Sequence, residues 1–197
     1  MISFTTILFV GGESRRMGAD KATLFYDGEP LWSRQLRTLR TLSPERIFIS
    51  ARSKPPWCPP DVEVILDVSP ACGPLSGIAT ALGKIRTTHL LALAVDMPLM
   101  TVEHLRWLQS HIHLGCGIVP LRHGRTEPLC AIYPVEASGL ALVAVNAGEF
   151  ALRSLVAALC EEKMLAACQL TEDMEHLYQN ANSPDDLANL PGFRSNR

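Results

Sequence analysis

The chain predicts an α/β fold built on a mostly parallel sheet, and three observations carry that reading. Short apolar runs of strand length alternate with segments whose apolar residues recur at helical spacing, the pattern of successive βαβ units with right-handed crossovers. The longest apolar run, residues 89–95, is bounded by the polar Thr88 and Asp96, as expected of a strand covered on both faces. The length, 197 residues, suffices for one such domain with a full core and is too short for two with separate cores, so a single domain over residues 1–197 is expected.

The elements follow in chain order. Residues 7–10 form a short apolar strand ended by Gly11 and Gly12. From Pro30 onward Leu31, Trp32, Leu36, Leu39 and Leu42 recur at helical spacing, with Arg34, Arg37 and Arg40 between them, and Pro suits the first turn of a helix. Residues 46–50 and 62–66 read as strands; the proline-rich stretch 54–60 between them cannot be regular. A second helix is expected over 74–82 and the long buried strand over 89–95. Thr101 then caps a third helix that runs through Trp107 and Leu108. Strands at 118–121 and 129–133 flank the polar stretch 123–128; helices fill 136–145 and 150–160, and a late strand covers 164–170. Ser183, Pro184, Asp185 and Asp186 supply the cap, the fixed φ and the acidic first turn of a final short helix.

Composition narrows the function classes. With 47% hydrophobic and 19% charged residues the chain is globular, and a formal charge of −2 offers no bulk attraction to nucleic acid or to a membrane surface. Any anion binding must be local. No apolar run approaches membrane-spanning length, and the N-terminus lacks the features of a secretory signal, so a soluble cytoplasmic protein is expected. The six cysteines contain no C-x-x-C pair and read as free thiols, with Cys116, Cys130, Cys160 and Cys168 expected in the core. His111 and His113 lack a third ligand nearby and read as surface residues rather than as a metal site.

Residues 11–21 concentrate backbone freedom and positive charge directly after the first strand. Gly11, Gly12 and Gly18 allow backbone N–H groups to approach anionic oxygens, while Arg15, Arg16 and Lys21 add formal charge. The spacing excludes both the P-loop and the common dinucleotide fingerprint. It reads as a phosphate cradle, the alternative being a Gly-rich surface turn with solvated arginines. In a parallel sheet, ligands sit at the carboxyl ends of the strands. Asp67 follows the strand ending at 66 and Asp96 follows the buried strand, so both should arrive at the same edge as the loop. Mg²⁺ prefers oxygen ligands and needs only one or two carboxylates beside phosphate oxygens, and Asp96 can supply one. The other reading of Asp96 is that it forms the turn at Met97-Pro98.

Beyond the loop with Met17-Gly18-Ala19-Asp20-Lys21, the chain carries Gly28-Glu29-Pro30-Leu31, Gly73-Pro74-Leu75-Ser76-Gly77, Asp96-Met97-Pro98, Glu127-Pro128 and Asn182-Ser183-Pro184. Together, in register and over nearly the whole chain, these motifs resemble the MobA family of molybdenum cofactor guanylyltransferases. The resemblance implies a Rossmann-like three-layer nucleotidyltransferase fold, GTP as donor with Mg²⁺, and molybdopterin or its molybdenum-loaded form as acceptor. It implies a nucleotide-binding half at about 1–100 and an acceptor-binding half at about 101–190, and a molybdoenzyme or its chaperone as recipient of the product. By the same resemblance Gly11, Gly12 and Lys21 bind the nucleotide, Asp67 contacts the guanosine part, and Asp96 contacts both nucleotide and magnesium. Ser14, Arg15, Arg16, Ser50 and Gly73 complete the candidate nucleotide site. Lys21, Arg16 and Asp96 are the candidate catalytic residues, and Arg125, Glu127, Asn180 and Asn182 the candidate acceptor contacts. The terminal phosphate of the pterin would attack the α-phosphorus in line, with no protein nucleophile.

Two positions depart from the family pattern: Phe9-Val10 replaces a Leu-Ala pair before the glycines, and Ser50 stands where the family can carry an asparagine against the nucleotide. Both bear on base selectivity. The subfamily that transfers cytidylyl groups tends to carry alanines where Gly11 and its neighbour sit, which favours guanine here. Competing readings are a cytidylyltransferase or a sugar- or polyol-phosphate nucleotidyltransferase of the same fold, and a non-catalytic nucleotide-binding module serving a molybdoenzyme.

Overall fold

The structure is a computed structural model that describes residues 1–11, 20–66 and 73–192. Its strands are β1 (Phe4–Phe9), β2 (Phe25–Tyr26), β3 (Glu29–Pro30), β4 (Arg46–Ala51), β5 (Glu63–Leu66), β6 (His89–Ala94), β7 (Gly117–Arg122), β8 (Arg125–Thr126), β9 (Cys130–Pro134) and β10 (Leu165–Gln169). Its α-helices are α1 (Leu31–Thr41), α2 (Gly73–Lys84), α3 (Val102–Gln109), α4 (Ser138–Asn146), α5 (Leu152–Glu161), α6 (Glu172–Glu175) and α7 (Pro184–Ala188).

Among the described residues the main sheet has eight strands, in the order β10-β7-β9-β6-β1-β4-β5 with β8 paired to β7. β6, β1, β4 and β5 run parallel, and β10 is parallel to β7. β9 opposes both of its neighbours, which makes the sheet mixed but mostly parallel. The buried strand β6 shows why a continuous apolar run was required: Leu91 and Leu93 face a core shared with α1 and α3, while Leu90 and Ala92 face one shared with α2, α4 and α5. Two helical layers therefore sandwich the sheet. The expected fold class stands.

Differences from the sequence reading are local. β1 begins at Phe4 because Thr5 and Thr6 are buried in it, Thr5 taking a 3.0 Å hydrogen bond from the Thr87 hydroxyl. The hairpin β2–β3 was not foreseen; Asp27 and Gly28 both take positive φ, 52° and 77°, as a two-residue I′ turn demands. The cysteine expectation needs correction, since of the four expected in the core Cys130 is fully buried and Cys116, Cys160 and Cys168 are half-buried at its margins. Cys116 lies just before β7, Cys160 near the end of α5, and Cys168 on the edge strand β10, positions that leave one side of each exposed. His111 and His113 are exposed, as expected.

Candidate active site

The parallel strands deliver their carboxyl ends to one edge of the sheet, and the polar residues gather there. β1 ends at Phe9, whose carbonyl accepts from the Val95 N–H at 2.9 Å, so Gly11 and Asp96 leave adjacent strands side by side. The reversed direction of β9 brings the start of that strand, not its end, to the same edge: Leu93 pairs with Cys130, and Ala94 N–H donates to the Leu129 carbonyl at 2.8 Å. Glu127 thereby approaches Asp96 from the acceptor half. The chain following α6 supplies the last wall, because Ala181 N–H donates to the Asp96 carbonyl at 2.8 Å.

The turn carrying Asp96 is held from below by α1. Gln35 Nε2 donates to the Met97 carbonyl at 2.5 Å and Arg34 Nε to the Pro98 carbonyl at 2.8 Å. Lys21 is fixed by a short 3₁₀ turn over Lys21–Thr23, capped by Asp20, whose carboxylate accepts from Ala22 N–H at 3.0 Å. The Lys21 ammonium lies 3.6 Å from Asp96 Oδ2, with side-chain exposures of 19% and 21%, so the pair is partly desolvated yet reachable from solvent. The ammonium also donates to Asn182 Oδ1. Burial pushes the Asp96 carboxyl above its ordinary range, and Lys21 opposes that shift.

Glu127 is likewise raised by burial and by the Asp96 charge, against the lowering effect of Arg122 and Arg153; Arg122 Nη1 stands 4.0 Å from its Oε1. Arg122 and Arg153 were not singled out in the sequence. A signal existed for Arg122, which ends a strand reaching the ligand edge, but none for Arg153, which enters from α5. Arg125 is exposed and, with Gly124, Thr126 and Arg153, lines a cavity of about 310 Å³. Asn180 is exposed beside the convergence.

Among the nucleotide candidates, Gly11 borders a cavity of about 280 Å³ between the ends of β1 and β4, whose other walls include Asp20, Ala51, Arg52 and Lys54, residues the sequence reading did not single out as site residues. Gly73 opens α2 with φ +54° and nothing within 4 Å of a built Cβ. Ser50 is buried on β4, its hydroxyl facing Gly77 of α2. Gly12, Ser14, Arg15, Arg16 and Asp67 lie outside the described residues. The structure therefore brings together Lys21, Asp96, Glu127 and Asn182, while Ser50 lies at the end of β4 beside Phe9 and Val10, its side chain turned toward α2.

Among the described residues no group of three or more His, Cys, Asp or Glu side chains could hold a metal. Mg²⁺ does not need such a cage: one carboxylate beside phosphate oxygens and waters suits its hard, octahedral preference. Asp96 fits that requirement, since it faces a cation already and is open to solvent on one side. No helix among the described residues is long and apolar enough to cross a membrane.

Known proteins resemble the chain in sequence and in shape. A probable molybdenum cofactor guanylyltransferase of Opitutus terrae is 35% identical over 182 residues, covering 91% of this chain and 90% of the relative. The crystal structure of molybdopterin-guanine dinucleotide biosynthesis protein A from Archaeoglobus fulgidus superposes with a TM-score of 0.67 at 22% identity, over 93% of this chain and 95% of that one. A 4-diphosphocytidyl-2C-methyl-D-erythritol synthase from Anaerococcus prevotii gives a TM-score of 0.70 at 8% identity, over 95% and 93%, and shows the shared fold alone. With residues 6–164 matching the MobA-like NTP transferase domain, the chain belongs to that family.

Proposed function

We propose that the protein is a molybdenum cofactor guanylyltransferase, transferring GMP from GTP to the terminal phosphate of molybdopterin, molybdenum-loaded or not, with release of pyrophosphate. The observation that carries this reading is the Lys21–Asp96 pair at the carboxyl edge of the sheet, directly beside Gly11 where the phosphate loop begins. The name borne by the 35% identical relative supports the same activity.

Residues of about 1–100 hold the nucleotide and those of about 101–190 the acceptor. The backbone at Gly11 and Gly12 cradles phosphate oxygens, with Ser14 and Arg15 beside it; Arg16 and Lys21 neutralise charge on the triphosphate as it builds toward pyrophosphate. Asp67 contacts the guanosine, and Ser50 and Gly73 border that pocket. Asp96 would hold Mg²⁺, which when bound draws charge from the phosphate oxygens and fixes the triphosphate. On the other side Arg125, Glu127, Asn180 and Asn182 orient the pterin phosphate. The attacking phosphate is anionic already, so positioning and charge neutralisation carry the rate and no residue need act as nucleophile. The product would pass to a molybdoenzyme or its chaperone.

Incubation with GTP, CTP or ATP, Mg²⁺ and either molybdopterin or a sugar phosphate, followed by mass analysis, tests this. The guanine dinucleotide of the pterin is expected, with pyrophosphate in equal amount. A cytosine dinucleotide, a nucleotide-sugar, or GTP binding with no pyrophosphate released would each overturn it.

A further inference from the structure

The proline-rich stretch 54–60 lies between β4 and β5, and two consecutive prolines stiffen its backbone. Cys58 N–H donates to the Pro55 carbonyl at 3.1 Å, closing a turn in which Pro56 takes the position that favours its fixed φ and Trp57 follows it. The turn presents the Trp57 indole to two partners. Its ring stacks on Trp32, in the first turn of α1, with centroids 4.8 Å apart and planes 12° from parallel. Its Nε1 donates to Asp20 Oδ2 at 3.4 Å. Pro55 and Pro56 also wall the cavity of about 280 Å³ that opens beside Gly11.

Asp20 heads the 3₁₀ turn that carries Lys21. Its Oδ1 accepts from Ala22 N–H at 3.0 Å, and its carbonyl accepts from Thr23 N–H at 2.9 Å. With the indole on Oδ2, both carboxylate oxygens are engaged by groups other than Lys21. The ammonium instead reaches Asp96 Oδ2 at 3.6 Å and Asn182 Oδ1, on the strap of residues 176–183 that follows α6. Released from the indole, the Asp20 carboxylate is the anion nearest to Lys21 in sequence and would compete with a phosphate for the same ammonium.

We infer that Trp57 is a positioning residue for Lys21: by holding Asp20 Oδ2 from outside the turn, it keeps that carboxylate off the ammonium and fixes the direction from which the ammonium meets the triphosphate. The stack on Trp32 anchors this hold to α1. The same helix grips the turn carrying Asp96 through Arg34 and Gln35, so one helix aligns both members of the Lys21–Asp96 pair. The inference rests on the proposed role of Lys21 toward the triphosphate.

Two measurements on the full chain test it: calorimetric binding of GTP with Mg²⁺ and no acceptor, and kcat/KM for GTP with molybdopterin. Trp57→Phe keeps a ring to stack on Trp32 and removes the N–H. It is expected to lower GTP affinity and kcat/KM ~3- to 10-fold, the loss that a hydrogen bond at the weak end of the range produces, with KM for the pterin unchanged. Asp20→Asn keeps a capping side chain and removes the competing charge. In that background, and equally in Lys21→Ala, Trp57→Phe should cost nothing further, because its route of action is gone. A Trp57→Phe protein that binds and turns over GTP like wild type overturns the inference. A loss that persists undiminished in either background also overturns it, since Trp57 would then act through the fold at large. If Lys21→Ala itself binds and turns over GTP as wild type does, the proposed role of Lys21 falls, and the inference falls with it.

Discussion

The Asp96 carboxylate loses hydration at the end of β6, and the Lys21 ammonium only partly offsets that loss, leaving its proton affinity above the ordinary range. A carboxyl that holds its proton more tightly folded than unfolded contributes less stability as pH rises through that window, and at neutral pH the deficit is complete. Asp96→Asn keeps the shape and removes the charge. It is expected to raise the melting temperature at pH 7, with the gain vanishing at acidic pH. The same change, like Lys21→Ala, is expected to lower turnover ~100- to 1,000-fold, the usual effect of removing one well-placed electrostatic group. Circular dichroism melts at two pH values, beside steady-state rates, check both; a variant less stable at neutral pH than at acidic pH, relative to wild type, would mean the carboxylate is stabilised where it stands. Residue by residue, the sequence revealed Lys21 and Asp96 through strand ends and charge. It could not reveal that Asn182, 161 positions from Lys21, meets the same ammonium.

Between elements, α3 is joined to the strap by a buried polar contact. His104, in the first turn of α3, places Nε2 2.7 Å from the Tyr178 hydroxyl, and Arg122 on β7 donates to the Tyr178 carbonyl at 2.7 Å. Cys130 Sγ lies 3.7 Å from the same hydroxyl, its thiol pushed up to about 12 by burial. The segment leading to Asn180 and Asn182 is thus anchored by the Arg122 guanidinium and by a buried His104, Tyr178 and Cys130 cluster whose members are held neutral by burial. Burial, with His176 nearby, lowers His104 from 6.5 to about 4. A depressed folded pKa means stability that is full above 6.5 and lost as pH falls toward 4. From pH 7 to pH 5 this residue should remove about 2 kcal/mol from the wild type. Denaturant midpoints of His104→Gln at the two pH values should show that part of the slope gone; His89, also lowered by burial, leaves a remainder. An unchanged slope would place the pH sensitivity elsewhere. At this scale the sequence was legible for helices and parallel strands, whose periods are distinct. The reversal of β9 was not read, although the span 123–129 between β7 and β9 is too short for a parallel crossover, which takes a dozen residues or more. The Asp27-Gly28 hairpin signal was likewise present in the sequence and passed over.

For the molecule as a whole, the antiparallel insertion of β9 joins the two halves of the sheet, and Gly117 marks how tightly. A Cβ there would fall 1.9 Å from the Ile132 carbonyl oxygen, a backbone atom that cannot swing away. Gly117→Ala must part β7 from β9 and is expected to cost about 3 kcal/mol or more, or to yield no soluble protein; a melting temperature near wild type would show that the seam can open without harm. Ligand linkage then reads the completed site across both halves. GTP with Mg²⁺ at a hundredfold excess over its dissociation constant should stabilise the fold by about 2.7 kcal/mol, or roughly 5–10 °C. GTP with a chelator should give a smaller shift, because the loop and Lys21 then act without the cation. In Asp96→Ala the shifts with and without Mg²⁺ should coincide if the carboxylate is, as proposed, where metal and nucleotide binding couple. A Mg²⁺-dependent increment that survives in that variant would move the metal away from β6, and with it the reason why the strap, Lys21 and the ends of β1 and β6 are folded against one another.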